Sequence, residues 1–339
     1  MAVAAPPCLQ ESPLQSILVF RALQVGDMLC AVPALRALRA AQPAAHIRLI
    51  GLPWAAQFAA RYPSLIDDFI AFPGHPSLPE RPAATDDWPD FIGHMRSLRA
   101  DLALQLHGSG DATNPIVKAF NARWTAGHSR HPERDGPGFF AWPEQGHESE
   151  RLLSLITALG GPRADPSLWF PLTEADRGEL GAADVAPQPE GQGYICVHAG
   201  ARDPRRCWPA HCFAAVADAL AEEFGLAVLL TGSANERAIA DSVVLQMRHP
   251  AINAALPISI GAMAALISGA RLLVCNDTAA SHLADALRVP SVVVFGHADM
   301  ERWRPRDSQR HRGIRDPGGQ HAALALREAR DLLQLGCPI

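Results

Sequence analysis

The residues most ready for chemistry stand where apolar runs stop. In "LVFRALQVGDMLCAVPALRAL", residues 18–38, a buried-strand pattern breaks at Gly26, Asp27 follows at once, and a helix-like pattern begins. A carboxylate at a strand-to-helix handover occupies the half-open position where α/β folds place their chemistry, and a structural helix cap is the other reading. In "LLVCNDTAASHLADAL", residues 272–287, a buried strand ends in Asp277, with Thr278 as the N-cap of the next helix. Free N–H groups at such a helix start make a phosphate site, and Asp277 would accept a hydrogen bond from a sugar hydroxyl or from the turn. An ordinary capped helix has the same spacing.

Two more strand ends carry candidates. "HAGARDPRRCWP", residues 198–209, holds Gly200, Arg202, Arg205 and Arg206 in one loop. Three cations there suit a dianionic group, although a solvated arginine run reads the same way. "LLTGSANERA", residues 229–238, offers Gly232 for close backbone approach and Glu236 as a partner for a ribose. The three loops should open on one crevice at the strand ends. No GxGxxG with a downstream acid follows the first strand, so a nicotinamide or flavin site is only weakly supported, and no GxxxxGK[ST] phosphate loop occurs. "HGSGD", residues 107–111, lacks the G-x-S-x-G of a nucleophile elbow. Cys207, His211 and Cys212 lack a second ligand pair, so no metal site is expected.

The elements that must position these residues follow from periodicity. "SILVF" and "HIRLIG" read as strands, and Met28, Leu29, Val32, Leu35 and Leu38 between them have helical spacing, with Pro33 expected in the first turns. "DDFIAF" (67–72) and "DLALQLHG" (101–108) read as further strands; the proline-rich stretch between them and residues 127–146 read as surface loops. A composition shift at 171–193 marks a boundary. After it, strands "YICVHAG", "LAVLLTG", "RLLVCND" and "PSVVVFG" alternate with helices, and "AALALREARDLLQL" forms a C-terminal amphipathic helix. Apolar strands alternating with helices mean parallel sheets covered on both faces.

The whole chain sets the bounds. Its 339 residues suit two domains, and 48% hydrophobic with 19% charged residues is globular composition. A net charge of −5 without a basic stripe argues against a nucleic-acid binder. Lys118 is the one lysine, so positive charge is nearly all arginine. Seven scattered cysteines suit a reducing compartment, and neither a leader nor an 18-residue apolar span is visible, so a cytoplasmic location without a transmembrane segment is expected.

Together, "ILVFRALQVGDMLCAVPALRAL", "LALQLHG", "VHAGARDPRRCWPAHCFAAVADAL", "LLTGSANE" and "NDTAASHLADALRVPSVVVFG" resemble the heptosyltransferase-like glycosyltransferase family nine, in order and over roughly residues 16–305. The resemblance implies an α/β protein of the GT-B fold, two doubly wound Rossmann-like parallel-sheet domains facing a central cleft. It implies an acceptor-side domain at 1–172, a linker at 173–192, a nucleotide-sugar-binding domain at 193–320 and a terminal helix at 321–339. The implied reaction is inverting, metal-independent transfer of a sugar from a nucleotide diphosphate donor, typically ADP-heptose. The implied acceptor is a lipopolysaccharide core or related envelope saccharide at the inner membrane face.

Residue by residue, Asp27 falls on the family's acid, the general base that takes the acceptor hydroxyl proton. Arg206 replaces the family lysine that stabilises the departing diphosphate. Asp277, Thr278 and His282 keep the family's donor motif, Ala279 replaces its glycine, and Glu236 matches its acid near the donor ribose. Gly200, Arg202 and Gly232 complete the expected donor site, with no cofactor beyond the donor itself. Arg21, His107 and Arg130 lie in first-domain positions that could face an anionic acceptor, with ordinary basic surface residues as the other reading. The departures at Arg206 and Ala279 favour, as alternatives, another nucleotide sugar or acceptor, or a catalytically silent nucleotide-sugar-binding homologue.

Overall fold

The computed structural model describes residues 6, 8–82, 85–185 and 193–335. The chain divides into two units, Met1–Ser167 and Leu168–Ile339. In the first, strands β1 (Ser16–Phe20), β2 (His46–Gly51), β3 (Asp68–Ala71), β4 (Leu102–Gln105), β5 (Trp124–Ser129) and β6 (Phe139–Ala141) form one parallel sheet in the order β3-β2-β1-β4-β5-β6. Ile17, Leu18, Val19 and Phe20 are all buried, because β1 is central and covered on both faces.

The second unit repeats the design. Strands β7 (Tyr194–His198), β8 (Ala227–Gly232), β9 (Ala251–Ala255), β10 (Leu272–Asn276), β11 (Ser291–Phe295) and β12 (His311–Arg315) run parallel in the order β12-β11-β10-β7-β8-β9. Its core joins Ile195 and Val197 of β7, Val228 and Leu230 of β8 and Val274 of β10 with Phe213 and Leu220 from the helix Ala210–Phe224. In both sheets the chain order reverses beside the first strand, at β1/β4 and at β7/β10, so the crevices at the strands' C-terminal ends open there.

Several elements differ from the sequence reading. Pro33 lies inside the helix Val25–Ala41, not in its first turns, because that helix starts at Val25. An interior proline removes one helical hydrogen bond, and the burial of most of this helix, packed along Glu148–Ala158, offsets the loss. Residues 127–146, read as loop, hold the end of β5, the short helix Pro132–Asp135 and β6. Their polar side chains hide the strands; His128 and Ser129 are buried and hydrogen-bonded. β9, β12 and the helix Ile260–Ser268 are further elements that the sequence reading lacks.

Within the expected linker, Thr173 and Asp176 form a capping box at the start of the helix Glu174–Ala183. That helix packs on Ile260–Ser268, where Glu179 accepts from the Ser259 N–H at 2.6 Å. The remainder of the expected linker, 186–192, and residues 336–339 of the expected terminal helix lie outside the described residues. The terminal helix itself runs Ala322–Gln334 and packs against Ala210–Phe224 and β11.

Candidate active site

In the first unit, the loop leaving β1 carries Arg21 and enters the helix that holds Asp27. Gln24 is the N-cap and makes no side-chain cap bond, so Asp27 is the third helical residue and not the cap. An acid in the first turn is favoured by the helix dipole. The Asp27 side chain is half-buried.

Arg21 does not face outward, contrary to the expectation that it meets an acceptor. It is 0% exposed; its Nε donates to the Asp27 carbonyl at 2.9 Å, one terminal nitrogen donates to the Leu106 carbonyl, and Nη2 lies 3.4 Å from Glu148 Oε1. A guanidinium this deep needs an acid beside it, and Glu148, at the start of Glu148–Ala158, supplies one. His107 follows β4, stacks on Phe20 and accepts from the Ala22 N–H through Nδ1 at 3.2 Å. Its Nε2 then carries the proton of the neutral ring and faces Glu80 Oε1 at 3.8 Å. Arg130 is exposed, 3.7 Å from Asp111.

Beside them, a polar network fixes the segment that follows β5. Asn114 links Gln105 to the His128 carbonyl, and Asp135 accepts from Ser129 and Lys118 at 2.6 Å each and from Asn114 at 2.7 Å. Burial alone would raise the Asp135 carboxyl, but the bonds from Lys118, Ser129 and Asn114 hold it below its usual range. Gly110 sits at φ +90° where a Cβ would fall 2.3 Å from the His128 carbonyl, so only glycine closes this turn.

In the second unit, four strand-end loops converge. Asn276, fully buried at the end of β10, donates to the Ala199 carbonyl at 2.7 Å and accepts from the Trp208 N–H at 2.9 Å, clamping both ends of the arginine loop. Trp208 Nε1 in turn donates to Asp316 at 2.8 Å. Asn276 holds the arginine loop in place, a position that the sequence reading leaves without a role; its place at the switch point, one residue before Asp277, is the available signal.

The three arginines of that loop do different things. Arg205 is committed to Asp203 through a bidentate pair, and its hydrogen bonds bring the Asp203 carboxyl down to about 2. Arg206 donates through Nη2 to the carboxylate and the carbonyl of Asp277, while its Nε is buried with no hydrogen-bond partner among the described residues. Arg202 is exposed and has no ion pair among the described residues.

Glu236 closes a capping box with Ser233, accepting from its N–H at 2.8 Å and its hydroxyl at 2.7 Å. Its other oxygen faces His198 Nε2 at 3.8 Å. Burial pushes the His198 imidazole below its ordinary value, with Glu236 opposing. Gly200 lies so close that a Cβ on it would fall 2.1 Å from Glu236 Oε1, and one on Gly232 would fall 3.2 Å from Glu236 Cβ. Thr278 is the N-cap by position, but its hydroxyl turns back toward the Asn276 carbonyl at 3.4 Å and makes no cap bond. Ala279 is the first residue of the helix Ala279–Leu287, and His282 is buried one turn on, edge-to-face with Trp303.

The candidates therefore gather in two sets. Asp27 and His107 flank the β1/β4 switch point; Gly200, Arg206, Gly232, Glu236, Asp277, Thr278 and Ala279 surround the β7/β10 one. What the second set brings to the β7/β10 strand ends is a helix start without a side-chain cap, the Arg206 guanidinium held by Asp277, and two glycines set close against Glu236.

Comparisons with known proteins give a consistent answer. The family model described as Glycosyltransferase family 9 (heptosyltransferase) matches residues 150–320. Lipopolysaccharide heptosyltransferase 3 of Escherichia coli is 29% identical over 197 residues, 55% of this chain and 54% of the relative, so the match spans about half that relative's length. The glycosyl transferase family 9 structure from Veillonella parvula DSM 2008 superposes with a TM-score of 0.80 at 20% identity, covering 95% of this chain and 98% of that one. The E. coli ADP-heptose lipopolysaccharide heptosyltransferase II structure does so with a TM-score of 0.73 at 21% identity, covering 95% and 99%.

Proposed function

Because the chain belongs to glycosyltransferase family 9, the heptosyltransferase family, we propose that it transfers heptose from ADP-heptose to a lipopolysaccharide core or a related envelope saccharide. The observation that carries the reading is Asp27, an acid in the first turn of the helix beside the β1/β4 switch point. In this mechanism the Asp27 carboxylate removes the proton from the acceptor hydroxyl as its oxygen attacks the anomeric carbon, which inverts. Proton removal by a placed base contributes about 10²–10⁴-fold. The ADP leaves with the bonding electron pair, and Arg206 and the N–H groups at the start of Ala279–Leu287 receive its developing charge. The reaction needs no metal in this reading and takes place in the cytoplasm, against the inner membrane face; among the described residues no helix is long and apolar enough to cross a membrane.

The test is transfer from ADP-heptose to a series of inner-core-truncated lipopolysaccharides, by the native protein and by Asp27→Asn. Transfer by the native protein and a loss of at least about 10²-fold in the variant, with ADP still bound, is the expected result. Full transfer by Asp27→Asn sinks the base assignment. A second reading, a different nucleotide sugar, is favoured by the methyl group of Ala279 at the start of the donor helix. Thermal shifts with UDP, GDP and dTDP sugars beside ADP-heptose decide between the two.

A further inference from the structure

The geometry points to Arg21 and Glu148 as a buried positioning pair that holds Asp27 in place, an inference that rests on the reading of Asp27 as the base. Their side chains are 0% and 1% exposed, so neither can meet a ligand directly. The Arg21 fork is spent on three chain segments: the start of Val25–Ala41 through the Asp27 carbonyl, the end of β4 through the Leu106 carbonyl, and the start of Glu148–Ala158 through Glu148.

The Asp27 carbonyl already lies in an α-helix, where the N–H four residues on is its ordinary donor. The bond from Arg21 is therefore an added tether, not a rescue of an orphaned group. Stability does not call for the pair either, since replacing a buried ion pair by apolar residues is often neutral or stabilising. What the pair supplies is a fixed distance between the first turn that carries Asp27 and the β4 end that carries His107. A planar fork does this; a lysine would bring the charge without the second and third directions.

The test uses the full chain as Arg21→Met, the double variant Arg21→Met with Glu148→Leu, and Asp27→Asn. Melting temperature, kcat and KM for ADP-heptose with truncated lipopolysaccharide, and hydrogen exchange of a peptide spanning residues 22–31 are measured. The single variant should melt lower, because Glu148 loses its guanidinium, and the double variant should recover. Despite that recovery, kcat should remain about 10²-fold down with KM for ADP-heptose unchanged, as misplacement of a reacting group predicts, and exchange at 22–31 should remain fast. Adding Asp27→Asn to the double variant should lower kcat little further.

A double variant with recovered melting, native kcat and native exchange at 22–31 overturns the inference while leaving the base in place. If Asp27→Asn alone transfers at full rate, the base reading fails first, and the positioning role falls with it.

Discussion

Arg206 closes the loop after β7 onto the end of β10 by donating to both the carboxylate and the backbone carbonyl of Asp277. The pair is asymmetric, Asp277 being 3% exposed and Arg206 37%. A diphosphate arriving at this edge must therefore share Arg206 with Asp277. The variant Asp277→Asn removes that competing charge and should tighten ADP binding by up to about tenfold at low salt, with the gain shrinking as salt rises. Calorimetric titration checks this, and unchanged ADP affinity would show that Arg206 does not reach the diphosphate.

The close approach of Gly200 to Glu236 gives a second expectation. In Gly200→Ala the new methyl group displaces the Glu236 carboxylate and breaks its capping box with Ser233, at a cost of about 1 kcal/mol. Glu236→Ala should cost about as much, and the two changes together should cost little more than either, because both remove the same cap. Additive losses in denaturant melts would separate the glycine from the acid.

Asn276→Ala unfastens both ends of the arginine loop. It leaves the buried Trp208 N–H without its acceptor, which costs about 1–3 kcal/mol. Urea unfolding should show the loss, and ADP affinity should fall with it because Gly200 and Arg206 ride on that loop. A variant as stable as the native protein with native ADP affinity would show that Asn276 does not fasten the loop.

A pH dependence is built in at the other end of the second sheet. Ser291 Oγ lies 2.8 Å from His311 Nδ1, and His311 Nε2 lies 3.7 Å from Asp285. Burial raises the Asp285 carboxyl to about 7, helped by Asp307, and burial lowers the His311 imidazole to about 4. The raised carboxyl contributes stability that is full below its ordinary 3.8 and is lost as pH rises through about 7. The depressed imidazole contributes stability that is present above its ordinary 6.5 and is lost as pH falls through about 4. Over the shared window the two slopes oppose. Asp285→Asn removes the falling one, so its stability relative to the native protein should increase from pH 4 toward pH 7, by up to about 1.4 kcal/mol per pH unit. Urea melts at several pH values would refute this if the difference stayed constant.

Much of this was legible along the chain. Unbroken apolar runs such as "SILVF" and "RLLVCND" announce central parallel strands, because a strand covered on both faces needs no polar side. Asp27, Arg206, Glu236 and Asp277 were legible because each follows such a run, where the topology opens a crevice. The edge strands "AINAA" and "HRGIR" were not, although the edge strand β3 was read from "DDFIAF": both are short and partly exposed, so neither has a clean period. Nor was the strand "WTAGHS", whose buried His128 and Ser129 are stabilised by bonds to Arg151 and Asp135, distant in sequence or across a turn.

By itself, then, the sequence determined the α/β class, the alternation of strands and helices, and which acids and arginines stand at strand ends, since these depend on local periodicity and chain order. Tertiary structure alone decided what those side chains do. Arg21 looked like a ligand-facing cation and is instead buried against Glu148, 127 residues away, while Arg206 is shared with Asp277, 71 residues away. A charge's role is set by the desolvation and partners it meets in three dimensions, and no local pattern encodes partners that far along the chain.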